Sequence, residues 1–541
     1  MKYSNKLYTA ILVLFIAAGC KKLDLAPTDR FSESNFWTID ANVYNALNNN
    51  YSLIYNSGLY FYNEALSDNA FSPSGDVNAI AAGIYTPSLA KFRNDWGHYY
   101  ATILSCNLFL ENIDKNKTLD PSAISRLKLE TRFLRAFAHF NLTKWFGEVP
   151  LVDRVLTPEE AQTIARASKA DVVNFIVREL QAAADSLPSN TQIPQSEDGR
   201  ITKGAALALQ ARVLLYQGDK MQEVSNICEA LINNQQTNGT YSLNSSYADL
   251  FTNPAINKNN PEDIWSLQYI PAERTWTEFF DFAPRSVGGR VSSMAPTQSL
   301  VESYIMMNGK NIHDAGSGYD ENNPYINRDP RLTATIVYDK FNWVRADGSV
   351  KVIYIKPGTD PDPAALDEYS QTSQSSSKTG YYWRKYFDPS ALSGFASGLN
   401  LHLIRYAEIL LNYAEAKNSL GQMNETVWNQ TIGALRRRAG FTDPGAVNYP
   451  GAGADMTTII RNERRVELAM EGLRIDDIKR WRVAEITMNG FVHGAKYGDP
   501  SVDNGYIRVQ QRKFTAPANY LWPIPASERS LNKNLSQNEG Y

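Results

Sequence analysis

The sequence contains few of the side chains that build metal sites and most catalytic centres. Its 541 residues include only three cysteines and five histidines, and no Cys/His spacing is of the zinc-binding type. The histidines are His98, His139, His313, His402 and His493. No two of them form an H-x-x-x-H pair, and no G-x-S-x-G nucleophile motif occurs. We therefore expect a protein that is not an enzyme and holds no metal ion or other cofactor.

An excess of positive charge is missing as well. Lys and Arg number 54 against 57 Asp and Glu, which gives a formal net charge of −3. Nucleic-acid binding requires a basic face, so we exclude nucleic acid as a partner. Beyond the N-terminus, no apolar run approaches the ~20 residues that a membrane-spanning helix needs.

The first twenty residues are typical of an export signal. Lys2 and Lys6 precede an almost wholly apolar run over 7–18, which ends in Ala18-Gly19-Cys20. This ending resembles the bacterial lipoprotein signal, in which the cysteine becomes the lipidated first residue. We predict a signal peptide over 1–19 and lipid attachment at Cys20. A plain signal peptide or a short membrane anchor is the alternative.

The other two cysteines, Cys106 and Cys228, lie inside apolar helical patterns. Free cysteine often behaves as a small buried hydrophobe. An oxidising compartment would also permit a disulfide, and the sequence does not decide between the two.

Apolar periodicity predicts a mostly α protein. The predicted helices cover 36–56, 95–114, 120–146, 168–187, 203–217, 220–234, 401–420, 425–439 and 456–471. Short strands are predicted over 264–270, 333–338 and 350–355, and long loops over 57–93 and 357–380. His139 and His402 fall on predicted helices, where we expect packing or capping roles.

Two of the predicted helix pairs resemble tetratricopeptide units. Ala211 and Ala414 each lie seven residues before a turn glycine, Gly218 and Gly421 respectively. The pairs are not tandem, so they form no regular 34-residue array. The predicted fold is a tetratricopeptide-like helical scaffold with long irregular loops and a few short strands. A bare helical hairpin is the alternative for each pair.

Aromatic residues are plentiful, with 30 Tyr and 10 Trp. Their flat apolar faces and polar edges suit sugar rings, and loops on a rigid body are where binding residues tend to lie. Candidate ligand-binding residues fall in two regions. The first holds Tyr60, Tyr62, Asp68, Asp76, Arg93, Asn94 and Trp96, and the second holds Trp276, Phe280, Tyr319 and Trp343. Trp276 is the preferred stacking platform, whereas Trp96 begins a helix and fits a core role equally well.

Four segments carry a family resemblance. They are ETRFLRA (130–136) with WFGEVPL (145–151), IRYAEILLNYAEA (404–416), IRNERRVEL (460–468) with EGLR (471–474) and KRW (479–481), and LWPIP (521–525) with NLSQNEGY (534–541). Together with the N-terminal signal, they resemble the SusD/RagB family of outer-membrane nutrient-binding lipoproteins. We interpret them as fold signatures. The charges around Glu463 and Glu467 predict a buried or half-buried ion-pair network, and the two prolines of 521–525 predict an extended segment lying against the helices.

The resemblance implies a function. Family members lie on the cell surface as a lid on a SusC-like TonB-dependent outer-membrane transporter, capture oligosaccharides and pass them to the barrel, with no covalent chemistry. Accordingly we expect a lipid-anchored, cell-surface-facing outer-membrane protein, whose parts 20–235 and 236–541 form one compact body. Peptide capture or protein contact on the same scaffold is the alternative function. Trp276→Ala is the variant that separates the two.

Overall fold

The computed structural model describes residues 36–391 and 394–541, so the predicted signal peptide and Cys20 lie outside the described residues. The helices of six or more residues are α1 (Asp40–Leu53), α2 (Ser57–Tyr62), α3 (Gly75–Ala82), α4 (Ala90–Asn112), α5 (Pro121–Phe146), α6 (Lys169–Ser186), α7 (Lys203–Gln217), α8 (Met221–Asn233), α9 (Gln298–Ser303), α10 (Pro330–Thr335), α11 (Tyr406–Ser419), α12 (Glu425–Gln430), α13 (Ile432–Ala439), α14 (Met456–Glu467), α15 (Arg474–Arg480) and α16 (Ala526–Leu531). No helix among the described residues is both long enough and apolar enough to cross a bilayer.

Ten short strands form isolated antiparallel pairs. They are β1 (Ala70–Phe71), β2 (Asp263–Leu267), β3 (Ala295–Pro296), β4 (Ile336–Val337), β5 (Phe341–Val344), β6 (Val350–Ile353), β7 (Tyr382–Trp383), β8 (Leu401–Arg405), β9 (Gly490–His493) and β10 (Arg508–Arg512). The pairs are β1–β3, β2–β8, β4–β7, β5–β6 and β9–β10. The described fold is therefore mostly α with a few short strands, and the predicted fold class is confirmed.

Local chemistry explains where the long helices begin and end. Pro121 occupies the first turn of α5, where no backbone donor is needed. The Thr202 side chain accepts a hydrogen bond from the Ala205 amide at the start of α7. This helix stops at Gly218, whose φ of 85° is left-handed and favours glycine.

The two tetratricopeptide-like pairs lie side by side. Helix α7 packs against α8 in the first pair, and α8 in turn packs against α11 of the second. A buried ion pair joins them, because Arg212 Nε donates to Glu408 Oε1 over 2.8 Å. Both alanines at the helix contacts, Ala211 and Ala414, are fully buried. The small side chains therefore lie where close helix packing requires them.

Several boundaries differ from the predictions. Residues 401–405 form strand β8 and not the first turns of a helix, so His402 lies on a strand and contacts Asp263 at 3.2 Å. The predicted helix 425–439 is interrupted at Thr431, whose φ of −118° and ψ of −98° are not helical. Half of the predicted strand 333–338 belongs to α10, and only the two residues of β4 form a strand there. The predicted loop 57–93 contains α2 and α3.

The predicted ion-pair network is confirmed and is larger than expected. Glu467 accepts from Arg331 Nη1 and Arg405 Nη1, both over 2.7 Å, and it also pairs with Arg438. Arg405 reaches Glu471 over 2.8 Å as well. All five side chains are nearly inaccessible to solvent. The network ties α14 to the nearby α13 and to β8 and α10, which are farther away in the chain.

The segment 521–525 lies against α5, as its prolines predict. The ring of Trp522 stacks on that of Trp145, with a centroid separation of 4.2 Å and an interplanar angle of 16°. The Trp522 amide donates to Trp145 O over 2.7 Å. Two family-signature segments thus contact each other directly, which supports their interpretation as fold signatures.

Cys106 and Cys228 are both buried and unpaired. Of the two interpretations left open by the sequence, the structure therefore selects the buried hydrophobe. Burial raises the pKa of the Cys106 thiol to about 12, which makes it a poor nucleophile at neutral pH.

Candidate ligand-binding cleft

Four of the predicted stacking residues meet in the protein core. Trp276, Tyr60, Phe280 and Trp343 are each at most 4% exposed. The Trp276 indole donates to Leu399 O over 2.8 Å. Its ring touches that of Phe61, at a centroid distance of 5.0 Å. These rings offer no open face to a sugar, so their role in binding stays a prediction that the structure does not favour.

Two further candidates have structural partners. Trp96 is 4% exposed and packs on Phe146, which fits the core alternative. Asp68 pairs with Arg474 over 2.8 Å and with Arg465 over 3.0 Å. Burial acts to raise the pKa of Asp68, but Arg465 and Arg474 outweigh it and hold this pKa well below the usual range.

Of the five remaining candidates, four lie outside the cleft described below and one lines it. Arg93 and Asn94 are exposed on α4. The Asp76 carboxylate accepts from the Lys91 amide over 2.8 Å, and the half-buried Tyr62 donates to Ser293 Oγ over 2.9 Å. None of these four lines the cleft described below. Tyr319 does line it, and is thus the one sequence candidate at that site.

One cleft has a volume of about 660 Å³ and is walled by tyrosines. We call it the tyrosine cleft. It is lined by Tyr319, Tyr325, Tyr338, Tyr381, Tyr497 and Tyr506. All but Tyr381 are half-buried, so part of each ring faces solvent. These residues come from the loop before α10, from the two turns that flank β4 and β7, and from the β9–β10 loop.

The walls of the cleft are held by stacking and by cations. The rings of Tyr325 and Tyr338 lie 3.9 Å apart between centroids and are nearly parallel. The Arg328 guanidinium lies 5.6 Å from the Tyr319 ring, and Lys496 Nζ lies 5.6 Å from that of Tyr506. Such contacts fix a ring in place while leaving its other face open.

Tyrosine hydroxyls gather at the bottom of the cleft. Tyr381 donates to Gln298 Oε1 over 2.5 Å, and Tyr325 donates to Tyr381 over 3.5 Å. The Tyr497 hydroxyl is buried close to that of Tyr325 and makes no hydrogen bond of normal geometry with the described residues. Burial raises the pKa of all three phenols, so they remain neutral donors at physiological pH. A buried polar atom without a partner is costly, and a ligand hydroxyl could satisfy Tyr497.

The rim of the cleft presents free polar groups. Asn342, Lys340 and Lys356 are exposed and make no side-chain hydrogen bond or ion pair with the described residues. Asp339 is fixed beside them, because one carboxylate oxygen accepts from the amides of Ile355 and Lys356. Aromatic faces flanked by amides, ammonium groups and hydroxyls can bind a ring that has one apolar face and a hydroxyl edge.

One wall is a closed loop, which we call the cleft loop (307–327). At its base Met306 pairs with Arg328, and the Met307 amide donates to Asn327 O over 2.8 Å. Arg328 is buried there and donates to the carbonyl oxygens of Tyr304 and Val301. The loop that carries Tyr319 and Tyr325 is therefore anchored at both ends on the scaffold.

Relatives of this chain are found by comparison of sequences. The SusD-like protein P2 of Formosa agariphila is 25% identical over 98% of this chain and 99% of its own length. The SusD-like protein P38 of the same organism is 24% identical over the full length of both chains.

Solved structures share the fold. A SusD-like carbohydrate-binding protein from Bacteroides fragilis has a TM-score of 0.82 and 32% identity, and the match covers 93% of this chain and 100% of that one. A laminarin-binding SusD-like protein has a TM-score of 0.68 at 23% identity, covering 93% of this chain and 99% of that one. The second likeness shows the fold alone.

Family models cover nearly all of the sequence. One, described as "Starch-binding associating with outer membrane", matches residues 23–215. Another, described as "SusD family", matches residues 228–541, which is more than half of the chain. On this match, and on a structure of the same family that is 32% identical over its whole length, the chain belongs to the SusD/RagB family.

Proposed function

We propose that this protein binds oligosaccharides in the tyrosine cleft. The observation that carries the proposal is the lining of the cleft, which has six tyrosines, five of them with partly exposed rings. Beside these rings lie amide and ammonium groups, and the buried Tyr497 hydroxyl, that make no side-chain hydrogen bond of normal geometry with the described residues. Stacking would supply affinity on the apolar face of a sugar, and the polar groups would bind its hydroxyls. Each hydrogen bond to a charged group is worth about 1.5–3 kcal/mol, so a few are enough for reversible capture.

The comparisons support a carbohydrate ligand at the outer membrane. The structural neighbour from Bacteroides fragilis is named a carbohydrate-binding protein, and the family model over 23–215 is described as starch-binding and associated with the outer membrane. We propose the same class of ligand and the same membrane for this chain.

The finer parts of the proposal follow from the family resemblance. The protein is anchored by lipid on Cys20, faces the cell exterior and passes its ligand to a SusC-like TonB-dependent transporter, without cleaving it. The N-terminal Ala-Gly-Cys pattern supports the anchor. Capture and release require only non-covalent contacts, which is what the tyrosine cleft provides.

A glycan-array screen followed by calorimetry on the purified protein tests the proposal. We expect saturable binding to one class of polysaccharide and no new reducing ends. Tyr319→Ala and Tyr506→Ala should each weaken binding on the order of tenfold, because each removes one stacking face. Tyr449→Ala is the matched control, since Tyr449 is half-buried outside the cleft beside Trp428.

Two results would contradict the proposal. Normal binding by both cleft variants would place the site elsewhere, and binding of peptides but no glycan would favour the peptide-capture alternative. Trp276→Ala distinguishes the binding site predicted from the sequence, which has Trp276 as its stacking platform, from the tyrosine cleft. Because Trp276 is in the core, we expect this variant to lower stability and not to remove binding selectively.

A further inference from the structure

A second cavity, of about 370 Å³, opens beside α5 and α15 and is rich in cations. It shares no lining residue with the tyrosine cleft. The basic side chains that line it are Lys144, Lys169, Lys479, Arg480 and Arg482, and its acidic ones are Asp476 and Glu539. We call it the cationic pocket.

Two of these cations are neutralised within the protein. Lys144 Nζ pairs with Asp476 over 3.0 Å, and Arg480 pairs with Glu415 over 2.6 Å and Asp477 over 2.8 Å. Asp476 accepts from Lys144 through Oδ2 only, and its Oδ1 is buried without a hydrogen-bond partner among the described residues. Glu539, on the exposed C-terminal segment, is the only other carboxylate among the lining residues.

The other three cations have carboxylates in their surroundings, Asp476 near Lys479 and Asp219 near Lys169, but none within ion-pair distance. Lys169, Lys479 and Arg482 form no ion pair and no side-chain hydrogen bond with the described residues. Aromatic rings hold two of them in place: Lys479 Nζ lies 5.0 Å from the Trp145 ring, and the Arg482 guanidinium lies 4.2 Å from that of Tyr520. Their N–H donors are therefore oriented, yet unused.

From this geometry we propose that the cationic pocket is a second binding site, which takes the carboxylate or sulfate group of a small acidic ligand. An oxyanion accepts several hydrogen bonds at once, and such charge-assisted bonds are the strong ones. The oxyanion would be shared by Lys479, Lys169 and Arg482, which lie on α15, at the start of α6 and just after α15. Phe140 and Tyr216 line the same cavity and provide apolar surface for the body of the ligand.

The electrostatics of Lys479 agree with a role in binding an anion. Removal from water beside the aromatic rings lowers the pKa of its ammonium group to about 7, Lys144 adds to the lowering, and Asp476 opposes it. An anion in the pocket would reverse the effect, because it favours the charged form of a neighbouring lysine.

Competitive acetylation of the purified protein tests the site directly. Trace acetic anhydride is applied at neutral pH with sodium sulfate, sodium glucuronate, glucose or sodium chloride at matched ionic strength, and each lysine is read by mass spectrometry. We expect sulfate or glucuronate to protect Lys479 and Lys169 severalfold, whereas glucose and chloride do not. The acetylation of Lys128 should be unaffected. Lys128 lies on the half of α5 that is distant from the pocket, and it pairs with Asp114, which precedes this helix.

Calorimetry with glucuronate and sulfate then measures the contribution of each cation. Lys479→Gln and Lys169→Gln should each weaken binding on the order of tenfold, as expected for one charge-assisted bond. The matched control is Lys128→Gln, which lies 16 residues from Lys144 on α5, or about 24 Å along the helix axis. Lys169 is exposed, so its variant reports on binding even if Lys479→Gln folds poorly.

Each outcome bears on the proposal. Equal affinity for sulfate and glucuronate supports a site for the bare oxyanion, and tighter binding of glucuronate supports one for an acidic sugar. Equal acetylation of Lys479 in all four solutions would overturn the proposal. So would an equal loss of binding affinity in the Lys128→Gln and Lys169→Gln variants. The test is independent of the proposed glycan function, since the cleft variant Tyr319→Ala should bind sulfate and glucuronate in the cationic pocket with unchanged affinity.

Discussion

At the scale of single residues, Glu467 is a buried carboxylate with three ion-pair partners. Three guanidinium groups, those of Arg331, Arg405 and Arg438, meet its two carboxylate oxygens, and the side chain is inaccessible to solvent. Removing one partner of a buried pair leaves uncompensated charges behind, which costs more than the pair itself contributes. Even a nearly isosteric substitution of Glu467 should therefore lower the stability of the fold strongly.

We predict that Glu467→Gln lowers the free energy of unfolding by about 3–5 kcal/mol, measured by urea denaturation. The glutamine keeps the volume but leaves three buried arginines short of one negative charge. Glu425→Gln is the control, because Glu425 is exposed at the start of α12, and it should change stability by less than about 1 kcal/mol. Equal effects of the two variants would argue against the importance of the network.

Single residues also show where sequence reasoning reached its limit. The Glu463/Glu467 spacing on a helix predicted a network correctly, but its partners on β8 and α10 are brought there only by the fold. Trp276 and Tyr319 are both aromatic residues in loop-rich sequence, yet one ring is buried and the other lines a cleft. Composition cannot tell them apart, since burial depends on what the remaining chain places over each ring.

At the scale of elements, the turn between α14 and α15 requires a glycine. Gly472 has a φ of 72°, and a Cβ atom on it would lie 2.5 Å from the Tyr60 carbonyl oxygen of α2. The turn therefore packs against another element through backbone alone. Any side chain at this position must separate α2 from the turn.

We predict that Gly472→Ala destabilises the protein by about 1–3 kcal/mol, as expected for a strained left-handed backbone. Gly453→Ala is the matched control, because nothing lies within 4 Å of its added Cβ and its φ is not left-handed. Thermal denaturation of both variants measures the difference. A Gly472 variant as stable as the Gly453 variant would show that α2 can shift without cost.

Elements were predicted well where periodicity is long. The predicted helix 203–217 coincides with α7, and 120–146 matches α5 within one residue. Errors occurred in short buried runs such as 401–405, where every residue is buried and no alternation separates a strand from a helix. Pairing with β2, which is more than 130 residues away in sequence, decides the outcome, and that pairing leaves no local signal.

At the scale of the whole molecule, buried carboxylates set the response to acid. Burial acts to raise the pKa values of Glu408, Glu463 and Glu471, but arginine partners outweigh it, so these pKa values lie below the usual range. A lowered folded-state pKa contributes stability above the unfolded value, and the contribution is lost as pH falls. Glu64 and Asp476 have raised pKa values, mainly through burial, and act in the opposite sense.

We predict that the carboxylates with lowered pKa values determine the pH dependence of stability. The urea midpoint should then fall steadily as pH decreases from about 5 to 2. Glu467→Gln should show a shallower fall, because it has already lost one of the lowered groups. Urea titrations at half-unit pH intervals provide the measurement. A midpoint independent of pH over this range, or one that rises, would contradict the prediction.

The tyrosine cleft is also a property of the whole molecule. Its aromatic lining comes from chain segments around 319–338, 381 and 497–506, and the sequence identified only Tyr319. The density of Tyr and Asn between 319 and 342 is the one signal that could have directed attention there. The meeting of this segment with the β9–β10 loop is a result of tertiary packing, which no local pattern reports.

The closed base of the cleft loop has a consequence for how one wall of the cleft can vary between related sequences. Because Met306 and Arg328 clamp the two ends of the loop on the scaffold, the residues between them can be replaced or lengthened without altering where the chain enters and leaves. Doubling the length of a flexible loop costs only about 0.6 kcal/mol in closure entropy. One wall of the cleft can therefore vary in sequence and length within a single segment, while the helical body and its ion-pair network keep their structure.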